Sequence, residues 1–338
     1  MRMLFLLFLV SFTAFMLLSL SPVDPLTVNV GQAALGSMSP EQIEKLKWYW
    51  GVDVPPLERF AAWAADFLRG DMGISLLYRR PVSQILWERA GNSLALMAAA
   101  WLLSGVLGLT LGIAAGIRRG RWMDRIVSAY AILMASTPAF WLALLFLLLF
   151  AVKLSWFPIG LSVPIGTNAE EVTLWERIHH AVLPALTLAL SGSSNIILHT
   201  REKVIEVMES DFILFARARG ESKRRILFAH ALRNLLLPAL TLQFASISEL
   251  FGGSVLVEQV FSYTGLGAAA VTAGLGSDLP LLLGITVVSA GMVFFGNLAA
   301  DLLYLKIDPR MRQGRKKRQV VAEGFWDRKQ ETGLQKRK

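Results

Sequence analysis

The 338-residue chain has no cysteine, only four histidines, and charge on just 17% of its residues. Disulfides, thiolate metal sites and a cysteine nucleophile are therefore excluded. No GxxxxGK[ST] segment is present to cradle a nucleotide phosphate, and no GxSxG, HExxH or spaced carboxylate pair marks a hydrolytic centre. The basic stretches lack the interleaved aromatics on which bases stack, so a nucleic-acid partner is not expected. What the chain has in excess is apolar side chains: 54% of residues are hydrophobic and the mean hydropathy is +0.50. That is too apolar for an ordinary soluble domain of this length and points to several membrane spans in an all-α membrane protein.

A span needs about 20 apolar residues to cross roughly 30 Å of hydrocarbon. Six stretches meet or approach this: Met3 to Leu20, Ser93 to Ile117, Ile126 to Val152, Ala181 to His199, Pro238 to Val257 and Leu281 to Leu305. Six transmembrane helices are thus expected, residues 1–20 as the first and 93–305 as a five-helix core. Gly108, Gly112 and Gly116 recur every four residues in the second stretch and line one helix face, which lets a neighbouring backbone approach. Arg2 precedes the first stretch as in a signal peptide, but no small-x-small cleavage site directly follows Leu20, so a retained helix is expected.

Net charge is +9, and its distribution sets orientation. Arg118, Arg119, Arg121 and Arg125, and later Arg201 to Arg233, lie on short cytoplasmic connections by the positive-inside rule, whereas 257–280 has no Lys or Arg. Both termini are then cytoplasmic, including a basic tail over 306–338 that seeks anionic lipid surfaces. The loop 21–92 falls outside. In it, Ser39-Pro40-Glu41-Gln42 is a capping-box pattern that predicts a helix stopping at Gly51. A second helix is expected from Pro56 to Arg69, ended by Gly70. Together they form a helical extracytoplasmic insertion that lies over the outer mouth, or a small external cap without a transport role.

The stretch FARARGESKRRILFAHALRNLLLPAL, from Phe215 to Leu240, lies between two apolar runs. Within the polar connection 200–237, a first helix ends near Glu209 and Ser210, a second covers Asp211 to Arg219, and Gly220 stops it. At helical spacing Phe212, Phe215, Ala216 and Arg219 share a face while Arg217 falls on another. Arg224, Arg225, His230, Arg233 and Asn234 follow, and Pro238 opens the next span. The residues alone allow a short helix that docks a partner or a solvated basic loop.

The loop resembles the ATPase-docking loop of bacterial ABC-importer permeases, in the form used by the dipeptide, oligopeptide and nickel permease family. Ala216 and Gly220 match the second Ala and the Gly of the family's EAA-three-residues-Gly signature, while Leu214 and Phe215 replace its acid and first Ala. Arg233, Asn234 and Pro238 resemble the Arg-Asn pair and Pro that follow it. Further blocks are similar in the same order: DFLRGDMGISLLYRRPV (66–82), RRGRWMDR (118–125), STPAFWLALLFLLLFAVKLSWFP (136–158), ELFGGSVLVEQVFSYTGLG (249–267) and KIDPRMR (306–312). The likeness implies a type I ABC importer permease fold in the bacterial cell membrane. It implies as partners a second homologous permease, two ATPase subunits that hold ATP and Mg, and an extracytoplasmic solute-binding protein; no cofactor is expected in this chain. Peptides are the implied substrate, with nickel or a metal chelate as the alternative. The family's basic lead-in before the first span is absent, so a start codon upstream is expected. A secondary transporter or channel, or a membrane receptor scaffold, are the readings from other classes.

Several groups in the apolar runs stand out. Glu249 sits near the middle of the fifth span, where a charge is costly and faces a bundle interior or a watery cavity. Ser246, Glu249 and Gly253 share a helical face, so Glu249 either lines the translocation path or bonds to another helix. Pro138, after Thr137, is expected to kink the third span. His179 and His180, with Glu170, Glu171 and Glu176 upstream, suggest either an interfacial cluster beside Trp175 or a passing metal ion. Trp156 and Trp175 suit an interfacial belt, and Asp301 and Lys306 an inner-end ion pair.

Overall fold

The computed structural model describes residues 2–20, 25–50, 54–167, 171–222 and 225–307. The described residues are helical, with no strand and a single bridge between Ile74 and Pro81. Helix α1 (Arg2–Ser19) is followed outside the core by α2 (Pro25–Val30), α3 (Gln32–Ser37), α4 (Pro40–Trp50) and α5 (Pro56–Leu68). The core comprises α6 (Val82–Ile117), α7 (Trp122–Ser136), α8 (Ala139–Phe146, continued as a π-helix over Leu147–Lys153) and α9 (Leu174–Met208). After α10 (Asp211–Ala218) and a π-helical turn at Ile226–Ala231 come α11 (Leu232–Ala245), α12 (Ile247–Val260), α13 (Leu266–Leu275) and α14 (Leu279–Ile307). The expected tail, from residue 308, and the expected stop at Gly51 lie outside the described residues, as do Glu170 and the side chains of Arg233 and Lys306.

Three helices are long and apolar enough to cross a membrane unbroken: α6, α9 and Leu279–Leu302 of α14. Two bent helix pairs, α7 with α8 at 106° and Asn234–Ala245 with α12 at 46°, are long and apolar enough when each pair is counted as one span. The described residues thus hold three to five candidate spans, and the apolar part of α1, Phe5–Ser19, is shorter than the usual span. The kink expected at Pro138 is a full break. Pro138 ends up as the residue before α8, where its missing N–H breaks no helical bond, and Thr137 turns its hydroxyl back to Leu133 O. Exposed Leu102, Val106, Ile132, Leu133 and Phe295 give the bundle an apolar outer surface suited to lipid.

The second span begins earlier than Ser93. Helix α6 starts at Val82, and its 36 residues extend about 54 Å, well beyond the hydrocarbon. Glu88 and Arg89 interrupt the apolar run but not the helix: Glu88 pairs with Arg80 and the Arg89 guanidinium lies 5.6 Å from the Tyr78 ring centroid. The extension is held by Val82, Ile85 and Leu86, which pack on Leu266, Ala269, Ala273 and Leu281. Helices α6 and α9 run parallel along the glycine stripe. A methyl group placed at Gly108 would lie 2.4 Å from Ile196 Cγ2, at Gly112 2.7 Å from Thr200 Cβ, and at Gly116 2.6 Å from Val204 Cβ. Each step of four in α6 meets a step of four in α9, the close-approach geometry expected from the spacing.

Helices α4 and α5 form where the caps predict. Ser39 and Gln42 exchange both capping-box bonds, at 2.9 and 3.3 Å, and α4 follows. Helix α5 folds back on α1 through Phe60, which meets Phe8, Phe12 and Phe15 edge-on with ring centroids 5.2 to 5.7 Å apart. It ends one residue before Arg69, with Gly70 at φ 90°.

Candidate functional site

The connection after α9 is built from local caps and one small apolar core. Helix α9 continues through the expected first helix to Met208, and Ser210 precedes α10. On α10, Ile213 and Ala216 are buried with Val204, Val207, Ile226, Ala231 and Leu235. Phe212, Leu214 and Phe215 are 45%, 50% and 64% exposed. The expected shared face is therefore divided. Ala216 turns inward because its small side chain fits against α9 and the π-helical turn, while Phe212, Phe215 and Arg219 point outward, with the Arg219 guanidinium 6.0 Å from the Phe215 ring. Arg217 donates to Met208 O at 3.2 Å and so satisfies an orphan carbonyl at the end of α9.

Gly220 ends α10 in a Schellman motif. Its φ is 76°, its N–H bonds Arg217 O at 2.9 Å, and Glu221 N–H reaches back to Ala216 O at 3.2 Å. No atom lies within 4 Å of where a Cβ would sit, so the need for glycine comes from the backbone alone. Gly220→Ala is expected to cost about 1–2 kcal/mol and loosen the last turn of α10. Limited trypsin digestion at Arg217 and Arg219 checks it: cleavage should quicken in the Ala variant and less so in Gly220→Asn, which tolerates this conformation better. Beyond the motif, Glu221 accepts from His230 Nε2 at 2.9 Å and pairs with Arg225 at 3.7 Å. The His230 bond, with the nearby arginines, holds the Glu221 carboxyl below its usual range.

Two ion pairs that sequence reasoning missed brace the same end of the bundle. Asp124, at the start of α7, accepts from Arg201 of α9 through both carboxylate oxygens, one at 2.9 Å, and also from Gly120 N–H at 2.8 Å. Arg119 pairs with Glu209. The signal was a lone acid inside RRGRWMDR, but its partner lies 77 positions away.

Pro138, Ser246, Glu249 and Gly253 line one cavity of about 470 Å³ between the two bent spans and α9. Ser246 sits at the break between α11 and α12, and Glu249 in the first turn of α12. A second acid, Glu258, was overlooked because it falls one residue past the expected end of the span. It is fully buried and accepts from Ser93 Oγ at 2.6 Å and from the N–H groups of Gly267 and Ala268 at 2.8 and 3.1 Å, which ties α6 and α12 to the start of α13. His180 Nδ1 meets Gly160 O at 3.0 Å and His179 Nε2 meets Trp156 O at 3.2 Å, so both rings fasten α9 to the preceding loop. Among the described residues no three metal-ligating side chains converge.

Comparison with known proteins gives a consistent picture. Residues 108–313 match the family described as "Binding-protein-dependent transport system inner membrane component". The chain is 32% identical to the oligopeptide transport system permease protein AppB of Bacillus subtilis, over 89% of this chain and 94% of that protein. It is 36% identical to a putative peptide transport system permease protein of Brucella abortus, over 90% and 94%. Among solved structures, an inward-facing conformation of the MetNI methionine ABC transporter superposes with a TM-score of 0.53 at 17% identity, covering 67% of this chain and 97% of that one. This last likeness bears on the fold alone, that of a type I importer permease.

Proposed function

Since the chain belongs to the binding-protein-dependent transport system inner membrane component family, a family of transport permeases rather than catalytic enzymes, we propose that it is one membrane subunit of an ATP-driven peptide importer. In this reading the bundle makes six spans in the bacterial inner membrane, with α1 as the first and both termini inside. It pairs with a second permease, two ATPase subunits that bind ATP and Mg, and an external binding protein. Peptides are favoured over a metal chelate because the relatives compared above are named as peptide permeases.

The observation that carries the proposal is α10: a short helix whose outward face exposes Phe212, Leu214 and Phe215, while its inward face is anchored by Ile213 and Ala216. Exposed aromatics on a rigid element are what a partner's groove takes up. A push on α10 has a physical route inward. The buried cluster joins it to α9 and to Leu235 of α11, and α11 leads to the break at Ser246 and the Glu249 cavity. ATP binding would draw the ATPases together, carry α10 with them and swing the bent spans, giving alternating access. Phe215→Asp is expected to lower co-purification of the ATPase by at least about tenfold, as hot-spot truncations of 2 kcal/mol or more do, with membrane insertion unchanged. Undiminished ATPase capture by that variant would count against α10 as the docking element.

A further inference from the structure

The bent spans place their breaks against the same cavity: Thr137 and Pro138 from the first, Ser246 and Glu249 from the second. Discontinuous helices are where secondary transporters build substrate sites, because non-helical backbone at membrane depth is tolerated only where it is buried in protein or lines a cavity, and the same physics holds for any membrane bundle. The α9 residues on the wall, Leu188 to Asn195, lie at the middle of a helix that runs from Trp175 outside to the Asp124–Arg201 pair inside.

Half of the wall's six polar side chains are already engaged. Thr137 Oγ1 donates to Leu133 O, Ser194 Oγ to Ser191 O and Ser246 Oγ to Gln243 O, at 2.7 to 2.8 Å. Glu249 and Asn195 have no hydrogen-bond or ion-pair partner among the described residues, and Glu249 is the wall's one ionisable side chain. Other acids of the bundle differ: Glu258 and Asp278 each accept from a hydroxyl and from two or one backbone N–H groups of neighbouring segments, and Asp124 has Arg201. Those three acids are buried, whereas Glu249 and Asn195 are exposed on the open wall of the cavity and so are free to meet a solute there; a charge within a membrane span faces such a watery cavity rather than lipid.

We infer that the cavity is a transient subsite for the protonated amino terminus of a peptide in transit, with Glu249 as counter-ion and the Asn195 carbonyl as a second acceptor. The inference rests on the peptide-importer reading above. A volume of about 470 Å³ lies in the usual range for small-ligand sites. One carboxylate beside an amide and hydroxyls, with no imidazole or thiolate, suits an ammonium group better than a nickel ion. Gly252 keeps the space open, since a Cβ there would meet nothing within 4 Å.

The test uses the complete importer, with both permeases, the ATPases and the binding protein, in proteoliposomes. Wild type should take up tri-alanine at least about tenfold faster than N-acetyl-tri-alanine, and in Glu249→Gln this ratio should collapse toward one as tri-alanine uptake falls. Assembly and substrate-independent ATP hydrolysis should persist, and Glu249→Asp should retain part of the preference. Gly252→Leu, which adds apolar bulk to the cavity wall from a Cβ position with nothing within 4 Å, should also slow tri-alanine uptake. An unchanged ratio in Glu249→Gln, loss of subunit assembly in that variant, or normal uptake by Gly252→Leu would each overturn the inference. A wild-type complex that takes up neither peptide in an ATP-dependent way would instead fail the importer reading, and the inference with it.

Discussion

Gly112→Leu is expected to eliminate monodisperse protein, because the added side chain meets atoms that have nowhere to go. A Cβ at Gly112 already lies 2.7 Å from Thr200 Cβ and 2.9 Å from Ile197 O. A side chain can change rotamer; a carbonyl bound into a helix cannot, so α6 and α9 must separate along their parallel contact. Overpacking of this kind costs about 1–3 kcal/mol for one or two methylenes and more for a whole side chain. The separation also loosens Ile197 and Val204, buried on α9. Size-exclusion profiles of a fluorescent fusion in mild detergent provide the check. The neighbouring positions set a graded series. At Gly108 the nearest atoms are side-chain carbons of Ile196, so Gly108→Ala should be partly rescued by Ile196→Ala. At Gly116 the carbonyl of Arg201 lies 2.9 Å from the added Cβ, so Gly116→Ala should resist rescue by Val204→Ala. A Gly112→Leu profile like that of wild type would mean that α6 and α9 are not packed this closely.

That stripe was legible in the sequence because glycine every four residues has one strong structural use inside a membrane helix. Ser39 with Gln42, Gly70 and Gly220 were legible for a related reason: each acts on backbone groups within six positions, so the sequence window contains the whole interaction. Pro138 marked where the third span breaks but not by how much, since the 106° turn depends on what α7 and α8 pack against. Single-face reasoning on α10 placed Ala216 with Phe212 and Phe215, and missed that the inward face is chosen by α9 and the π-helical turn. Glu249 was conspicuous as an acid inside an apolar run. Glu258 was missed although it is the more buried, because its partners come from Ser93 and from the turn into α13. Long-range pairing of this type leaves little trace in a single sequence.

The same holds for Asp124 and Arg201, and their separation should produce the second large effect. Asp124 is 5% exposed at its side chain and Arg201 26%, so the pair is sheltered but within reach of water. Removing one partner of a buried pair costs about 3–5 kcal/mol; with a quarter of the arginine exposed, about 2–3 kcal/mol is the better expectation for Asp124→Ala. That variant loses four things together: the two-oxygen contact with Arg201, the bond from Gly120 N–H, the bond from Ser128 Oγ, and a negative charge in the first turn of α7. Arg201→Ala loses only the first, leaving Asp124 bonded to Gly120 and Ser128, and should cost less. The expected thermal midpoints in detergent therefore fall in the order wild type, Arg201→Ala, Asp124→Ala, the last by roughly 3–4 °C. The reversed double variant Asp124→Arg with Arg201→Asp should recover only part of the loss, because arginine at 124 cannot accept from Gly120 and opposes the helix dipole. Full recovery would show that charge pairing alone holds α7 to α9, and no loss in Asp124→Ala would remove the pair from the scaffold. Because α9 also carries α10, a partly loosened pair should weaken the coupling of ATP hydrolysis to uptake before the protein unfolds. Measuring uptake per ATP in Arg201→Ala, the milder variant, separates that effect from simple instability.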